Sequence, residues 1–478
     1  MNRSIVILFL LITTLSSAQK PNVLVFLVDD LKPSFGAYGD TFVKSPGLDD
    51  LASRGMRFDM AYCNQAVCAP SRNNLMTGAR SSTLGIYNLG TFFRKKVPNA
   101  ITLPQYFKQH GYISQGIGKV FHIGHGNVND PLSWSVPFQK ESPIEYLLEE
   151  SNGGKMSREE ALFSNKPQKG LLPGAAWEKA DVPDNAYADG RIADEAIKRL
   201  QEAKKSEKPF FLMVGFTKPH LPFCAPRKYW DMYDPKKLPL AANRKPPKGA
   251  PTFAYKPELK GELGNYTPIN SMAEMDEETE RTLIHGYYAS LTYMDAQLAR
   301  VMSALDQLKL SDNTIVVLWG DHGYHLGHNG FWTKHSNYEE SARIPLIFVD
   351  PRNVAAKSST QAIIETVDIY PTLADLAALP IPSGPHKIDG QSFASVLKGE
   401  KKQIRNHAYH VYPKAYMGRA IRTDRYRMVE WKRKKNKGVY YELYDYQIDP
   451  LETENLADKN PAVLQELKAI LAEHPEAK

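Results

Sequence analysis

Three apolar runs in this chain end in residues able to bind a cation or move a proton. VLVFLVDD ends in Asp29 and Asp30, FFLMVGFTKPH ends in Lys218 and His220, and TIVVLWGDHG delivers Asp321 and His322. Three carboxylates are hard oxygen donors and favour Ca²⁺ or Mg²⁺ over zinc. His322, a nitrogen donor beside three carboxylates, is an unusual ligand for a hard cation. A divalent ion held there would neutralise an anionic oxygen and act as a Lewis acid. Cationic side chains stand ready beside it: Arg72, Lys119 and His122 in GKVFH, Lys218 and His220 in KPH, and Lys334 in WTKH. So much positive charge expects a tetrahedral oxyanion, sulfate or phosphate.

The stretch CNQAVCAPSRNNLMTGAR holds Cys63 and Cys68, two of the three cysteines. Pro70 fits the first turn of a helix, where its missing N–H costs nothing. Asn73 to Thr77 can carry that helix on, and Gly78 can end it in a left-handed cap. Cys68 then sits at a helix N-terminus, where backbone amides and the dipole favour negative charge. That is the place of a nucleophile or of an anion. Cys224 follows LPF and reads as a buried small apolar residue.

These residues need elements to position them. Val23–Val28, Phe210–Val214, Ile315–Trp319 and Ile344–Val349 are continuous apolar runs, the mark of strands buried on both faces. Amphipathic stretches at Asp49–Ser53, Asn185–Lys204 and Glu277–Leu308 read as helices between them. The pattern is α/β, a large and mostly parallel sheet flanked by helices. Ligands of such sheets bind beyond the carboxyl ends of the strands, so the three strand ends point to one site. Residues 150–180 and the proline-rich 234–275 are long irregular stretches, of the kind that line clefts or stay disordered. After about residue 400, RYRMVEW and GVYYELYDY alternate as strands of a small antiparallel sheet, with a helix over Pro461–Glu473. The basic run Lys432 to Lys437 between them reads as a solvated hairpin tip.

The 478 residues suit one large domain with a smaller one, expected over 19–400 and 401–478. Arg3, the apolar run Ile5–Ile12 and Ser16-Ser17-Ala18 have the form of a cleavable secretory leader over 1–18, and the run is too short to span a bilayer. Export to the periplasm or beyond is therefore expected, without stable membrane insertion. Three cysteines cannot make a disulfide framework, and an unpaired thiol is a liability there unless it is buried or converted. The net charge of +7 suits a polyanion without demanding one, and no nucleic-acid partner is expected.

CAPSR at Cys68–Arg72 resembles the C-x-P-x-R signature of type I sulfatases, in the alkaline phosphatase-like superfamily. The likeness extends through NVLVFLVDDLKPSFGAYGD, GKVFHIG, KPHLPF, GDHGYHLG and ELYDYQIDPLETENLA, all in family order. Within the family, QAVCAPSR, GKVFH and KPHLPF look most like the iduronate-2-sulfatase branch and its bacterial relatives. The resemblance implies that a maturation enzyme oxidises Cys68 to formylglycine. One hydroxyl of the hydrated aldehyde would attack sulfur; the other would then lose its proton, and collapse to the aldehyde would expel sulfate.

It also implies one Ca²⁺ (Mg²⁺ less so) held by Asp29, Asp30, Asp321 and residue 68, with His322 where many members have asparagine. Arg72 would hold the formylglycine, and Lys119 and His122 would flank its hydroxyls. His220 would protonate the leaving alcohol, with Lys218 beside it in contact with substrate, and Lys334 would grip a sulfate oxygen. His325 and His335 would contact substrate or shape the wall around it. Leu326–Gly330, where relatives often read LGEHG, would line a sugar pocket. The substrate implied is a sulfated polysaccharide or oligosaccharide. A phosphatase or phosphodiesterase on the same fold would keep an unmodified nucleophile and need two metals. A non-catalytic polyanion-binding protein would be expected to have lost part of the reactive set.

Overall fold

Apolar runs rich in valine, leucine and phenylalanine give strands with no solvent on either face. In the computed structural model, which describes residues 20–255, 261–269, 275–352, 354–433 and 438–477, these runs form the centre of one sheet. Its strands are β1 (Asn22–Val28), β2 (Met56–Tyr62), β3 (Ile113–Gly118), β5 (Phe210–Phe216), β7 (Thr314–Gly320), β8 (Leu346–Val349) and β9 (Ser358–Glu365). The order is β3-β5-β1-β7-β8-β2-β9, and β8 alone runs against its neighbours. Two short strands, β4 (Trp177–Glu178) and β6 (Phe223–Cys224), pair separately. Strand β8 starts later than the apolar run predicts because Pro345 has no N–H for the ladder.

Alternate residues of β1 feed two different cores. Leu24, Phe26 and Val28 face a layer that includes Leu283, Tyr287 and Leu291 of the 31-residue helix Glu277–Gln307. Val23, Val25 and Leu27 face the opposite layer, with Leu75, Leu103 and Leu373. Helices therefore cover both faces, as a parallel sheet requires. The expected helix at Asn185 begins at Ala188, since Asp184–Ala186 first make a 3-10 turn.

The C-terminal part is a four-stranded antiparallel sheet: β10 (Ala408–Pro413), β11 (Met417–Arg422), β12 (Tyr426–Lys432) and β13 (Val439–Asp445). The helix Pro461–Ala472 packs Leu467 and Leu471 onto Tyr409, Val411 and Ile421. Arg427 of β12, fully buried, joins this sheet to the segment after β7 through Glu339, whose N–H in turn donates to Glu452 beside it at 3.0 Å. The leader expected over 1–18 and positions 434–437 of the basic run lie outside the described residues. Among those described, no helix is long and apolar enough to cross a membrane. All three cysteines are buried and none is in a disulfide.

Both long irregular stretches reach the rim at the carboxyl ends of the central strands. The first contains the helix Arg158–Phe163, begun by a capping box between Ser157 and Glu160; the second contains the turn Gly261–Asn265. Residues of each line the same cavity.

The helix Pro46–Ser53 is capped from a distance. Asp295 accepts from the backbone N–H of Gly47 at 3.0 Å and of Leu48 at 2.6 Å, all of them buried. Asp295→Ala strands both donors and should cost roughly 2–4 kcal/mol, read as a lower urea midpoint at unchanged m-value. A loss below the error of the melt would show that water replaces the carboxylate.

Candidate active site

Strand register brings the acidic residues together. Val28 of β1 pairs with Gly320 of β7 and with Phe216 of β5, so Asp29 and Asp321 leave adjacent strands side by side. Asp30 adopts a left-handed backbone (φ 58°), held by the Tyr287 hydroxyl donating to its carbonyl at 2.7 Å. Its N–H donates to Asp321 Oδ1 at 3.1 Å. All three carboxylates are fully buried.

Their charges cannot stand alone there. Burial opposes ionisation of Asp29, but Lys119, His220 and Arg72 outweigh it and hold this carboxyl well below the usual range. Burial raises Asp30 to about 7 against the pull of Lys334, with Asp29 and Glu262 adding to the rise. Burial and the Asp29 charge likewise push Asp321 well up. A set of acceptors that repel one another is a set that fits a hard cation. Asp29, Cys68, Asp321 and His322 place one ligand atom each within 4.8 Å of one another, as do Asp29, Asp30, Cys68 and His220. His322 stands between the groups, 3.3 Å from Cys68 Sγ and 3.5 Å from Asp30 Oδ1.

The helix that follows β2 spans Cys68–Thr77 and closes on Gly78 in the left-handed conformation. Cys68 is its first residue, and the helix is buried throughout. Ser71 locks it to the strand end by donating to the Asp321 carbonyl at 2.5 Å. One turn along, Arg72 donates through Nε to Asp321 at 3.1 Å and through Nη2 to Asp29 at 3.2 Å, while Nη1 meets the Lys119 carbonyl. Burial and the Asp29 charge push the Cys68 thiol well up, so as an unmodified side chain it is protonated and poorly nucleophilic.

Cys68 opens on a cavity of about 510 Å³. His122, His220, Lys334 and His335 line it, while Arg72 and Lys119 of the same expected set lie beneath it on the carboxylates. Lys334 Nζ lies 3.0 Å from Asp30, and Lys119 is paired with Asp29. His220 turns Nδ1 to the Leu221 carbonyl, which leaves Nε2 on the side of Asp29 (3.9 Å) and Glu262 (3.5 Å). Burial, Lys119 and Lys334 press this imidazole down to about 3.

Two expected substrate contacts stand elsewhere. Lys218 Nζ donates to the carbonyls of Pro222 at 2.7 Å and His220 at 3.3 Å, bracing its own turn instead of facing the cavity. His325 spends both ring nitrogens on the His328 carbonyl and Ser336 Oγ, behind the wall. None of Leu326–Gly330 lines this cavity either; Asn329 docks the loop on Asn243 and on the carbonyls of Leu451 and Glu452.

The cavity also holds residues that sequence reasoning misses: His125, Arg158, Phe163, Glu262 and Asn265. His125 is within reach of it, three residues after His122 and bonded to it at 3.2 Å. The others come from the two long stretches, where no periodicity marks them.

If the cluster is the cation site, Ca²⁺ should raise the unfolding midpoint, by about 2.7 kcal/mol at a hundredfold excess over Kd. Mg²⁺ should raise it less, and Asp30→Asn should lose most of the response. An Asp30→Asn protein that responds like the wild type would place the ion somewhere else.

A model of the sulfatase family matches residues 21–379, and one for the C-terminal region of N-sulphoglucosamine sulphohydrolase matches 327–476. Iduronate 2-sulfatase of Mus musculus is 36% identical over 398 residues, covering 77% of this chain and 70% of its own. A sulfatase of Formosa agariphila is 30% identical over 464 residues, 95% of this chain and 86% of that one. Among solved structures, a protein bound to its substrate D-glucosamine-2-N,6-O-disulfate superposes with TM-score 0.74 at 23% identity, covering 95% and 97% of the two chains. A phosphonate monoester hydrolase from Silicibacter pomeroyi superposes as well, with TM-score 0.75 at 21% identity over 95% of each, so the fold is shared beyond sulfate chemistry. The family match takes in every strand end that builds the rim, and with these relatives along most of its length the chain belongs to the sulfatase family of sulfuric ester hydrolases.

Proposed function

We propose that this chain is an exported carbohydrate sulfatase acting on a sulfated polysaccharide or oligosaccharide. The ester would be of the iduronate 2-sulfate kind or an ulvan-type uronate or rhamnose sulfate. Relatives named iduronate 2-sulfatase and, at 27% identity, ulvan-active sulfatase support that range. The observation that carries the proposal is the position of Cys68. It is the first residue of a buried helix, in contact with His322, and it opens on a cavity walled by Lys334, His122 and His220. As a thiol this residue is held protonated, whereas a formylglycine hydrate made from it by a maturation enzyme would offer an ionisable hydroxyl there.

Asp29, Asp30, Asp321, His322 and residue 68 would hold one Ca²⁺, which when bound supplies Lewis-acid neutralisation of a sulfate oxygen. The chain's own residues do the rest. Arg72 fixes the first turn of the helix by its bonds to Asp29 and Asp321, so residue 68 cannot swing away. Lys334 presents a fixed ammonium to an incoming oxyanion, worth roughly 2.7–4 kcal/mol in the transition state by analogy with oxyanion-hole donors. With Nδ1 engaged by the Leu221 carbonyl, Nε2 is the His220 nitrogen left to exchange a proton with the leaving oxygen; burial keeps the free imidazole neutral, so Nε2 would take up that proton in the substrate complex before passing it on.

Mass spectrometry of the tryptic peptide Phe58–Arg72 from the native host should show the thiol of Cys68 converted to the aldehyde. Cys68→Ala should abolish sulfate release from iduronate 2-sulfate and rhamnose 3-sulfate glycosides with the unfolding midpoint retained. His220→Ala should lose roughly 10²–10⁴-fold in kcat/KM on such alcohol leaving groups, and less on 4-nitrophenyl sulfate, which departs without a proton. A plain thiol at position 68 in an active preparation would overturn the mechanism.

A further inference from the structure

A carboxylate stands inside this basic cavity with no place in the sulfate chemistry. Glu262 Oε2 lies 3.0 Å from Lys334 Nζ and Oε1 lies 3.5 Å from His220 Nε2. Lys334 and His220 are almost entirely buried, while the Glu262 side chain keeps 19% of its surface and lines the cavity. It therefore touches the two residues that would face the sulfate and the leaving oxygen, from the open side.

The turn that carries Glu262 is built in place. Gly261, at φ +46°, lies against Thr333, where a Cβ would come within 2.2 Å of Thr333 Oγ1. Only glycine allows that approach, and it sets the next residue against Lys334. Leu263 is fully buried in the main core, and Arg158 donates to the Asn265 carbonyl at 3.1 Å. Burial works against the Glu262 charge, but Lys334 and His220 more than offset it, so the side chain is an anion.

An anion is a poor neighbour for a sulfate ester, since like charges at short range in a largely buried cavity repel strongly. Its use must come from what the leaving group has and the sulfate lacks, a hydroxyl donor. Each carboxylate oxygen accepts about two hydrogen bonds; Lys334 takes one side of Oε2, while Oε1 lies 3.5 Å from His220 Nε2, so acceptor positions stay open to the cavity. A substrate whose ester oxygen reaches His220 Nε2 puts the hydroxyl of the neighbouring carbon one hydrogen-bond length further on, at Glu262.

We propose that Glu262 is a specificity-determining residue that accepts the hydroxyl vicinal to the sulfate ester, selecting sugars with that hydroxyl free and rejecting those with a second sulfate there. This rests on the carbohydrate sulfatase reading above. Charge repulsion supplies the rejection and the charged hydrogen bond supplies the selection.

The test is a cycle between residue and substrate on the matured full-length protein. Sulfate release is measured from 4-methylumbelliferyl α-L-iduronide 2-sulfate, its 3-deoxy analogue and its 2,3-disulfate, with 4-nitrophenyl sulfate as a reference. Glu262→Gln should lower kcat/KM on the 3-hydroxy sugar roughly ten- to a hundredfold more than on the 3-deoxy analogue, and should raise relative turnover of the disulfate. Glu262→Asp, which keeps the charge and shortens the reach, should fall between the two. Equal losses on the hydroxy and deoxy sugars would overturn the proposal, because Glu262 would then act only through Lys334 and His220. If the wild type cleaves 4-nitrophenyl sulfate but neither these iduronides nor rhamnose 3-sulfate glycosides, the carbohydrate reading fails and this role falls with it.

Discussion

Three carboxylates buried side by side at the rim of a parallel sheet are the constraint that the rest of this structure answers. Asp29, Asp30 and Asp321 have no solvent to screen them, and an isolated buried charge costs several kcal/mol. Each is met by a cation from a different part of the chain. Arg72 comes from the helix after β2, Lys119 from the end of β3 and Lys334 from the segment beyond β7. Charge balance therefore ties distant segments to one point. The same cations that tolerate the carboxylates are the ones an oxyanion would use, so holding the acids together also prepares the site for its substrate.

The parallel sheet explains why so much of the site is legible in the amino-acid sequence. Strands buried on both faces must be continuously apolar, and β1, β5 and β7 are. Parallel neighbours end on the same side, so residues just past the ends of consecutive strands converge whatever path the loops take. Asp29, Asp30, His220, Asp321 and His322 all obey that rule. The helix start at Cys68 is legible for a different, local reason, since Pro70 and Gly78 punctuate it.

What the sequence does not reveal lies where position depends on packing instead of period. Lys218 and His220 are two residues apart, yet one braces the turn with its ammonium and the other faces the cavity. His325 sits in the most conspicuous histidine-rich stretch and is consumed by Ser336 and His328. Adjacency to a motif does not decide which way a side chain turns. Glu262 is hidden for the opposite reason: it lies in a proline-rich stretch whose path is set by a glycine closing on Thr333, far away in sequence.

This division separates two kinds of demand on the chain. Strand ends and a helix terminus hold the buried carboxylates, their cations and Cys68, and they are rigid because the two cores on either side of the sheet fix them. Irregular segments, the helix Arg158–Phe163 and the turn Gly261–Asn265, supply the outer wall, each anchored to the core by a buried apolar side chain, Phe163 and Leu263. The inner set cannot change without leaving a buried charge unmatched, which costs more than most single substitutions do. The outer wall has no such restriction. A polar side chain there, such as Glu262, can be exchanged with the loss of partly exposed contacts only, so a new sugar can be met from the wall while the carboxylates and their cations stay as they are.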